Sequence, residues 1–574
     1  MINRENGKQQ LIATQVVEAL KTCTAFDTVK AHVQRICSGN PALSGQAASV
    51  QQTLEQLKQA GFLLEASTVC LRLNQTVETP LSSTRVCVIT CDRPAALERL
   101  LESMLRAGGL SKHDALYLID DSRLQENQTA NAELIETFNI RSAKPMQYIG
   151  RDVQNRLMGQ LISQLPDHEN GIRFLLDAQR WKDKPTYGRS RTLCLLLSVG
   201  YRTIMLDDDI LCQAVQPAVP EEGVFVGSEG RREASFFADV DSLMSYATPL
   251  EKSPLDLHTS VLGTSVSWAA QSLNNGPLQE AQLLGANAAM ANIWKPNSPV
   301  LVSQCGSWGD PGTGDAHWTI NLSEHSVSRL LSANGGIVSA IESRCAWLGT
   351  PRPTIMKMAF MSQMTGVDNS ALLPPYFPAF RGEDLLFAAM VEAMHPLGCI
   401  VELAFAVPHL PEHRERKTLR GPIANAGGIG LFAAYLTNQI DYTDGNDPAQ
   451  RLSIVVQDLR RMAKKSTNNL LLDYRREVAT THAAQLHTLR SQLEATRDFD
   501  SGNWQGYLER AIVETEQALQ RSWSPTDIDE ISGDSSEEQI VQSFKLMLCD
   551  FADGLEGWES IRSAASHFSA QLTG

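Results

Sequence analysis

Between Arg85 and Ile210, apolar runs of strand length alternate with helical stretches, and each run ends in carboxylates. "RVCVITC" leads into Asp92, "DALYLIDDS" carries Asp120 and Asp121, and "YRTIMLDDDI" carries Asp207, Asp208 and Asp209. Between them lie "PAALERLLESMLRAGG", which has Pro94 at its start and glycines at its end, then "NRLMGQLISQL" and "RSRTLCLLLSVG". Nearly continuous apolar strands separated by helices of this length predict an α/β fold: a mostly parallel, Rossmann-like sheet with helices on both faces. Ligands of such sheets bind beyond the carboxyl ends of the strands. Three acidic strand ends therefore mark one edge of the sheet as the candidate site.

The chain has 574 residues, too many for one ordinary core. Residues 1–80 read as a helical N-terminal region, with apolar residues at helical spacing in "QLIATQVVEALKTC" and "ASVQQTLEQLKQAGF". The α/β region takes 85–414. Residues 415–574 read as a helical C-terminal domain, with amphipathic stretches such as "RLSIVVQDLRRMAKK" and an acidic linker, "SPTDIDEISGDSSEEQ". Its helices offer a surface for forming a homo-oligomer.

Charge and cysteine usage exclude some classes. The net charge is −15 and the isoelectric point about 5.3, which argues against non-specific binding to nucleic acid or an anionic bilayer. No stretch approaches the roughly 18 uninterrupted apolar residues of a spanning helix, and "MINRENGKQQ" does not read as a signal peptide. The eleven cysteines are scattered without a CxxC pair, as expected of buried thiols in a reducing compartment. Cys87 and Cys91 read as small core residues. The expectation is a cytoplasmic protein, with peripheral membrane contact left open.

Three adjacent carboxylates repel one another, so they call for a positive charge. On a strand, Asp207 and Asp209 would point to one side and Asp208 to the other. Paired carboxylates suit Mn²⁺ or Mg²⁺, and such an ion bridges to a diphosphate; the same residues also suit a solvated turn. In "GRSR", Arg189 and Arg191 stand at a helix start, the unfavourable end for a cation, so they need an anion nearby. Their guanidinium forks match phosphate oxygens. "RGEDLLF" puts Glu383 and Asp384 in a first helical turn, which suits the helix dipole and also a general base. "PHLPEHRE" holds His409 and His413, and His409 follows the strand-like "CIVELAFAV" as a candidate metal ligand or surface residue. "CGSWGDPGTGDAHW" offers Trp308 and Trp318 to stack on a sugar, and Asp310, Asp315 and His317 for hydroxyls, or else a tight structural loop.

Taken in order, these signals resemble the nucleotide-sugar glycosyltransferases of the GT-A fold, most closely the inverting family 2 type, over residues 85 to 410. The resemblance implies a GT-A sheet in which Thr90, Cys91, Asp92 and Arg93 line the base and ribose. It gives Asp120 or Asp121 to the base, and Arg189 and Arg191 to the base or diphosphate. It gives Asp207, Asp209 and His409 to the metal, with Asp208 turned toward the ribose or into the sheet. Asp384 becomes the base, and Glu383 a partner of acceptor or donor. Gly285 and Asn287 of "LLGANAAMAN" correspond to a segment near the donor sugar, although about 95 residues separate Gly285 from Gly382, more than in simpler enzymes. The implied activity moves a sugar, with inversion, from a nucleotide-sugar donor such as a UDP-sugar to a hydroxyl on a glycan, lipid-linked or protein acceptor, using Mn²⁺ or Mg²⁺. Two other readings stand beside it. A metal-dependent nucleotidyltransferase would normally carry a Gly-rich basic loop after the first strand, which "TCDRPAAL" lacks. An inactive transferase fold would serve as a binding scaffold through its helical ends.

Overall fold

β1 (Thr84–Thr90) is buried along its whole length, as a central strand of a parallel sheet must be. Val86 and Val88 enter the core on one face of the sheet, and Cys87 and Ile89 the core on the other. The computed structural model describes residues 7–228, 232–313, 317–357, 359, 363–411, 423–440, 447–498, 502–531 and 535–573.

Helix Pro94–Ala107 carries the chain from β1 to parallel β2 (Ala115–Asp120), and helix Gln125–Arg141 carries it on to parallel β3 (Met146–Ile149). Three helices follow, Arg151–Gln164, Glu169–Leu176 and Tyr187–Leu197. The chain then returns to the opposite side of β1 as β4 (Arg202–Asp207), again parallel. The winding thus reverses between β1 and β4, which opens a crevice beyond their carboxyl ends.

The remaining strands are β5 (Phe225–Ser228), β6 (Glu233–Phe236), β7 (Val300–Gly309), β8 (Ala346–Gly349), β9 (Thr354–Met356), β10 (Met364–Asp368) and β11 (Cys399–His409). The sheet order is β3-β2-β1-β4-β10-β7-β11-β9-β5, with β8 pairing β7 and β6 beyond it. β10 runs antiparallel to both β4 and β7, so the sheet is mixed beyond its parallel half. The α/β class is as the alternating pattern predicts.

The C-terminal helices do not stand apart. Leu548, Phe551, Trp558 and Phe568 share one apolar core with Ile89, Tyr117, Leu193 and Phe377. Trp558 donates its indole N–H to the Leu373 carbonyl at 2.6 Å, and the buried Arg562 donates to the carbonyls of Asn369 and Ala371 at 3.0 and 2.8 Å. Helices Glu169–Leu176 and Glu537–Glu556 meet at glycines, since a Cβ on Gly171 would lie 2.5 Å from the Gly554 nitrogen. At the other end, the N-terminal segment clasps residues 285–292. Phe26 exchanges backbone hydrogen bonds with Gly285 and Ala286, and Arg72 donates to the Asn292 side chain.

All eleven cysteines are free thiols, and seven are buried. Cys87 is among the buried seven, while Cys91 is only half-buried. Among the described residues, no helix is long and apolar enough to cross a membrane.

Candidate active-site cleft

The turn after β1 begins the site. Asp92 adopts a left-handed φ of 55° and turns its Oδ1 toward the next strand end. There it accepts from the backbone N–H groups of Arg123 and Leu124 at 3.0 and 3.1 Å, and from Asn127 at 3.1 Å. Asp92 therefore ties the β1 turn to the start of helix Gln125–Arg141. Asp120 is equally occupied, accepting from the Ser122 N–H, Asn131 and the Tyr148 hydroxyl. Asp121 pairs with Arg189 at 2.6 Å and accepts from Thr186.

Arg189 corrects one expectation. It is 1% exposed, and its fork is spent on Asp121, Gln154 and the Leu176 carbonyl. It braces the β2 end and faces no ligand-accessible surface. The anion that its helix-start position called for is Asp121.

The aspartate triplet also departs from simple alternation. Sheet pairing of β4 with β1 ends at Asp207, and a turn starts there, so the period of two no longer applies to Asp208 and Asp209. Asp208 is 0% exposed, accepts from the Thr90 hydroxyl at 2.6 Å and pairs with Arg93 at 2.5 Å. Asp209 takes the other arm of Arg93 at 2.5 Å. Asp207 instead meets Arg191 at 3.2 Å, and Arg191 reaches Glu383 at 3.5 Å. Among the described residues, the arginines that the triplet meets are Arg93 and Arg191.

His409 reaches Asp209 from β11, with Nε2 3.4 Å from Oδ1. Its Nδ1–H donates to the Asp310 carbonyl at 2.6 Å, which fixes the ring and turns Nε2 toward the carboxylate. That is the outer-shell hydrogen bond a metal-bound histidine typically makes. Asp310 itself is held by both arms of Arg344, at 2.7 and 2.9 Å. Asp209 and His409 have the donor chemistry for Mn²⁺ or Mg²⁺. Asp207 does not join them, and among the described residues no three His, Cys, Asp or Glu side chains group to hold an ion.

Burial and these partners set the proton affinities. Burial pushes Asp208 up to about 7 against the pull of Arg93. Burial likewise pushes Glu383 up to about 7 against Arg191. It also raises Asp207, with Arg191 opposing. Burial opposes ionisation of Asp209 as well, but His409 and Arg93 hold it below the usual carboxylate range. His409 is raised despite burial, because Asp209 faces it.

Gly382 enters helix Glu383–Met394 with a left-handed φ of 93°, placing Glu383 inward against Arg191. Asp384 is half-buried and accepts from the Leu385 N–H at 2.8 Å. The "GRSR" helix can sit this close only because residue 188 is glycine. A Cβ there would lie 1.8 Å from the Phe377 carbonyl oxygen and 3.1 Å from Cγ of Glu383.

Beside this network, beyond β2 and β3, lies a cleft of about 760 Å³ lined in part by Asp121, Arg123, Gln128, Arg151, Trp181 and Lys182. Arg123, Arg151 and Lys182 escape a reading by sequence motif, because they lie on separate segments, Arg151 at a helix start and the other two in loops, and only the fold collects them.

Other expected residues lie elsewhere. Gly285 donates its N–H to the Phe26 carbonyl, and Asn287 donates to the Gly227 carbonyl and caps helix Ala288–Ile293. They sit beside β5, five strands from β4 in the sheet order, and do not approach the acidic edge. Trp308 is core, with its N–H on the Leu243 carbonyl, and is closed to a sugar. Trp318 is half-buried against Phe236. Asp315 and His413 fall outside the described residues. Comparison of the chain with protein-family models, with curated proteins and with solved structures returned no match.

Proposed function

We propose that the chain is a glycosyltransferase of GT-A type that takes a nucleotide-sugar donor, a UDP-sugar being the first to test, and transfers the sugar to an acceptor hydroxyl with inversion. One observation carries this reading. Arg191 joins Asp207, 16 residues away, to Glu383, 192 residues away, so the carboxylates of "DDD" and of "RGED" share one network at the switch point. A donor-side and an acceptor-side carboxylate must converge in this way for displacement at a sugar carbon.

The 760 Å³ cleft supports the donor half of the reading, since its volume suits a nucleotide and Arg123, Arg151 and Lys182 line it beside Asp121 and Asp152. Arg191 has 14% of its side chain exposed at the mouth of the network, where it offsets charge on a departing diphosphate. Asp209 and His409 would hold the divalent ion, which as a Lewis acid would neutralise that leaving group further. Arg93 shares the same carboxylate, so ion and arginine compete for Asp209. Half-buried Asp384 accepts the acceptor's proton, and Glu383 fixes Arg191 at the start of the same helix.

The test is a panel of nucleotide sugars with Mn²⁺ or Mg²⁺, scored for donor binding and for nucleotide release. Wild type should turn over one donor. Asp384→Asn should lose at least about 100-fold in turnover while still binding the donor, the size expected of a missing general base. Asp209→Asn should weaken Mn²⁺ binding at least tenfold. If no donor binds, or if Asp384→Asn turns over as wild type, the reading fails; donor binding without turnover would indicate a scaffold.

A further inference from the structure

A second cavity, of about 410 Å³, lies between residues 317–321 and helix Thr467–Ala495, away from the acidic edge. Its chemistry differs from that of the first. Its walls include Trp318, Asn321, His482, Gln485 and Thr488, and none of its described lining residues is Asp, Glu, Lys or Arg. It therefore suits a neutral ligand, whereas charged side chains of both signs line the cleft at the sheet edge.

His482 says more about that ligand. It is 3% exposed. Its Nε2–H donates to the Asn425 carbonyl at 3.1 Å, which leaves Nδ1 as an acceptor. Burial keeps the ring neutral by lowering its proton affinity, so Nδ1 keeps its lone pair at neutral pH. That Nδ1 is buried and has no donor among the described residues. A buried acceptor without a partner calls for a donor from outside the chain. Trp318 stacks on Phe236 with ring centroids 5.9 Å apart and is still half-exposed, so it adds an aromatic wall. The amides of Asn321 and Gln485 and the hydroxyl of Thr488 add both donors and acceptors. An apolar plate, a lone acceptor and a neutral polar rim together suit a polyhydroxylated ring.

We propose that this cavity is a saccharide-binding site for a neutral sugar unit, with one sugar hydroxyl donating to His482 Nδ1 and a C–H face of the ring resting on Trp318. Its volume falls within the range of about 300–1,000 Å³ typical of small-ligand sites. The site joins the α/β half of the chain to a C-terminal helix, which gives that helix a binding role as well as a structural one. The proposal does not require the transferase reading, because it concerns binding alone.

The test applies the full chain to an array of neutral mono- to tetrasaccharides, with hits measured by calorimetry in the absence of any nucleotide. The expected result is a neutral saccharide that binds wild type, is weakened at least tenfold by His482→Phe and by Trp318→Ala, and is unaffected by Asp384→Asn. Gln485→Ala, at the rim, gives an independent variant if either core change unfolds the protein, and should weaken binding at least threefold. Absence of any binding, with water alone in the cavity, overturns the proposal, as does a saccharide whose affinity the folded variants leave unchanged. Donor turnover without saccharide binding would sink this proposal and leave the transferase reading intact.

Discussion

Glu383 shows what a single buried acid contributes. Its carboxyl has a folded pKa of about 7, raised by burial although Arg191 opposes the rise. The folded state therefore holds this proton more tightly than the unfolded chain does. Between about pH 4.5 and 7 the native state binds more protons, so this group's contribution to stability falls as pH rises through that window. Glu383→Gln should remove that dependence. The variant's melting temperature should change less between pH 5 and 8 than that of wild type, and the gain at pH 8 should not exceed about 3 kcal/mol. Parallel melting curves for the two proteins across that range would contradict the assignment. Arg93 illustrates the converse case. Its fork neutralises two neighbouring carboxylates, one fully buried, and a buried pair of this kind is costly to break from one side.

At the scale of the element, the site depends on how closely helix Tyr187–Leu197 approaches residues 376–383. The Arg189 N–H donates to the Pro378 carbonyl at 3.0 Å, and Thr192 and Tyr376 exchange hydrogen bonds at 3.3 and 3.1 Å. Gly188 is what makes room, with the Phe377 carbonyl where a side chain would stand. Gly188→Ala should therefore push the "GED" segment outward and cost about 1–3 kcal/mol by overpacking. Urea unfolding reads that cost, and a variant as stable as wild type would refute the close contact. The approach was not legible in "GRSR", since a glycine at a helix start reads equally well as a cap. Its meaning depends on a carbonyl 189 positions away.

Across the whole molecule, the C-terminal helices complete the core over one face of the sheet. Phe174, Phe377 and Phe551 pack edge-on or tilted, with centroids 5.1–5.9 Å apart, and come from three distant parts of the chain. A chain truncated after residue 447 would leave Leu193–Leu197 and Tyr117 without the Leu548, Phe551, Trp558 and Phe568 side of their core. Such a chain should be recovered only as aggregate, or should show rapid proteolysis across residues 85–410. A soluble, protease-resistant fragment would mean that the α/β region folds without its C-terminal helices. The boundary drawn near residue 415 from helical patterning marks a change of secondary structure. It does not mark a break in the core.

The sequence by itself determined the alternating strands and helices, the parallel half of the sheet and its acidic edge. Each follows from local periodicity: apolar runs must be buried, and short helical crossovers force parallel pairing. It also placed His409 after a strand-like run and Glu383 in the first turn of a helix. Only the tertiary structure decided which cation meets which carboxylate. It gave Arg189 to Asp121, gave Arg93 to Asp208 and Asp209, and set Arg191 between Asp207 and Glu383. It also put Gly285 and Asn287 beside Phe26 and β5, and joined Trp318 to His482 around one cavity. The physical reason is the same throughout. Charge pairing and cavity shape depend on the register and packing of segments far apart in the chain, and no local pattern carries that information.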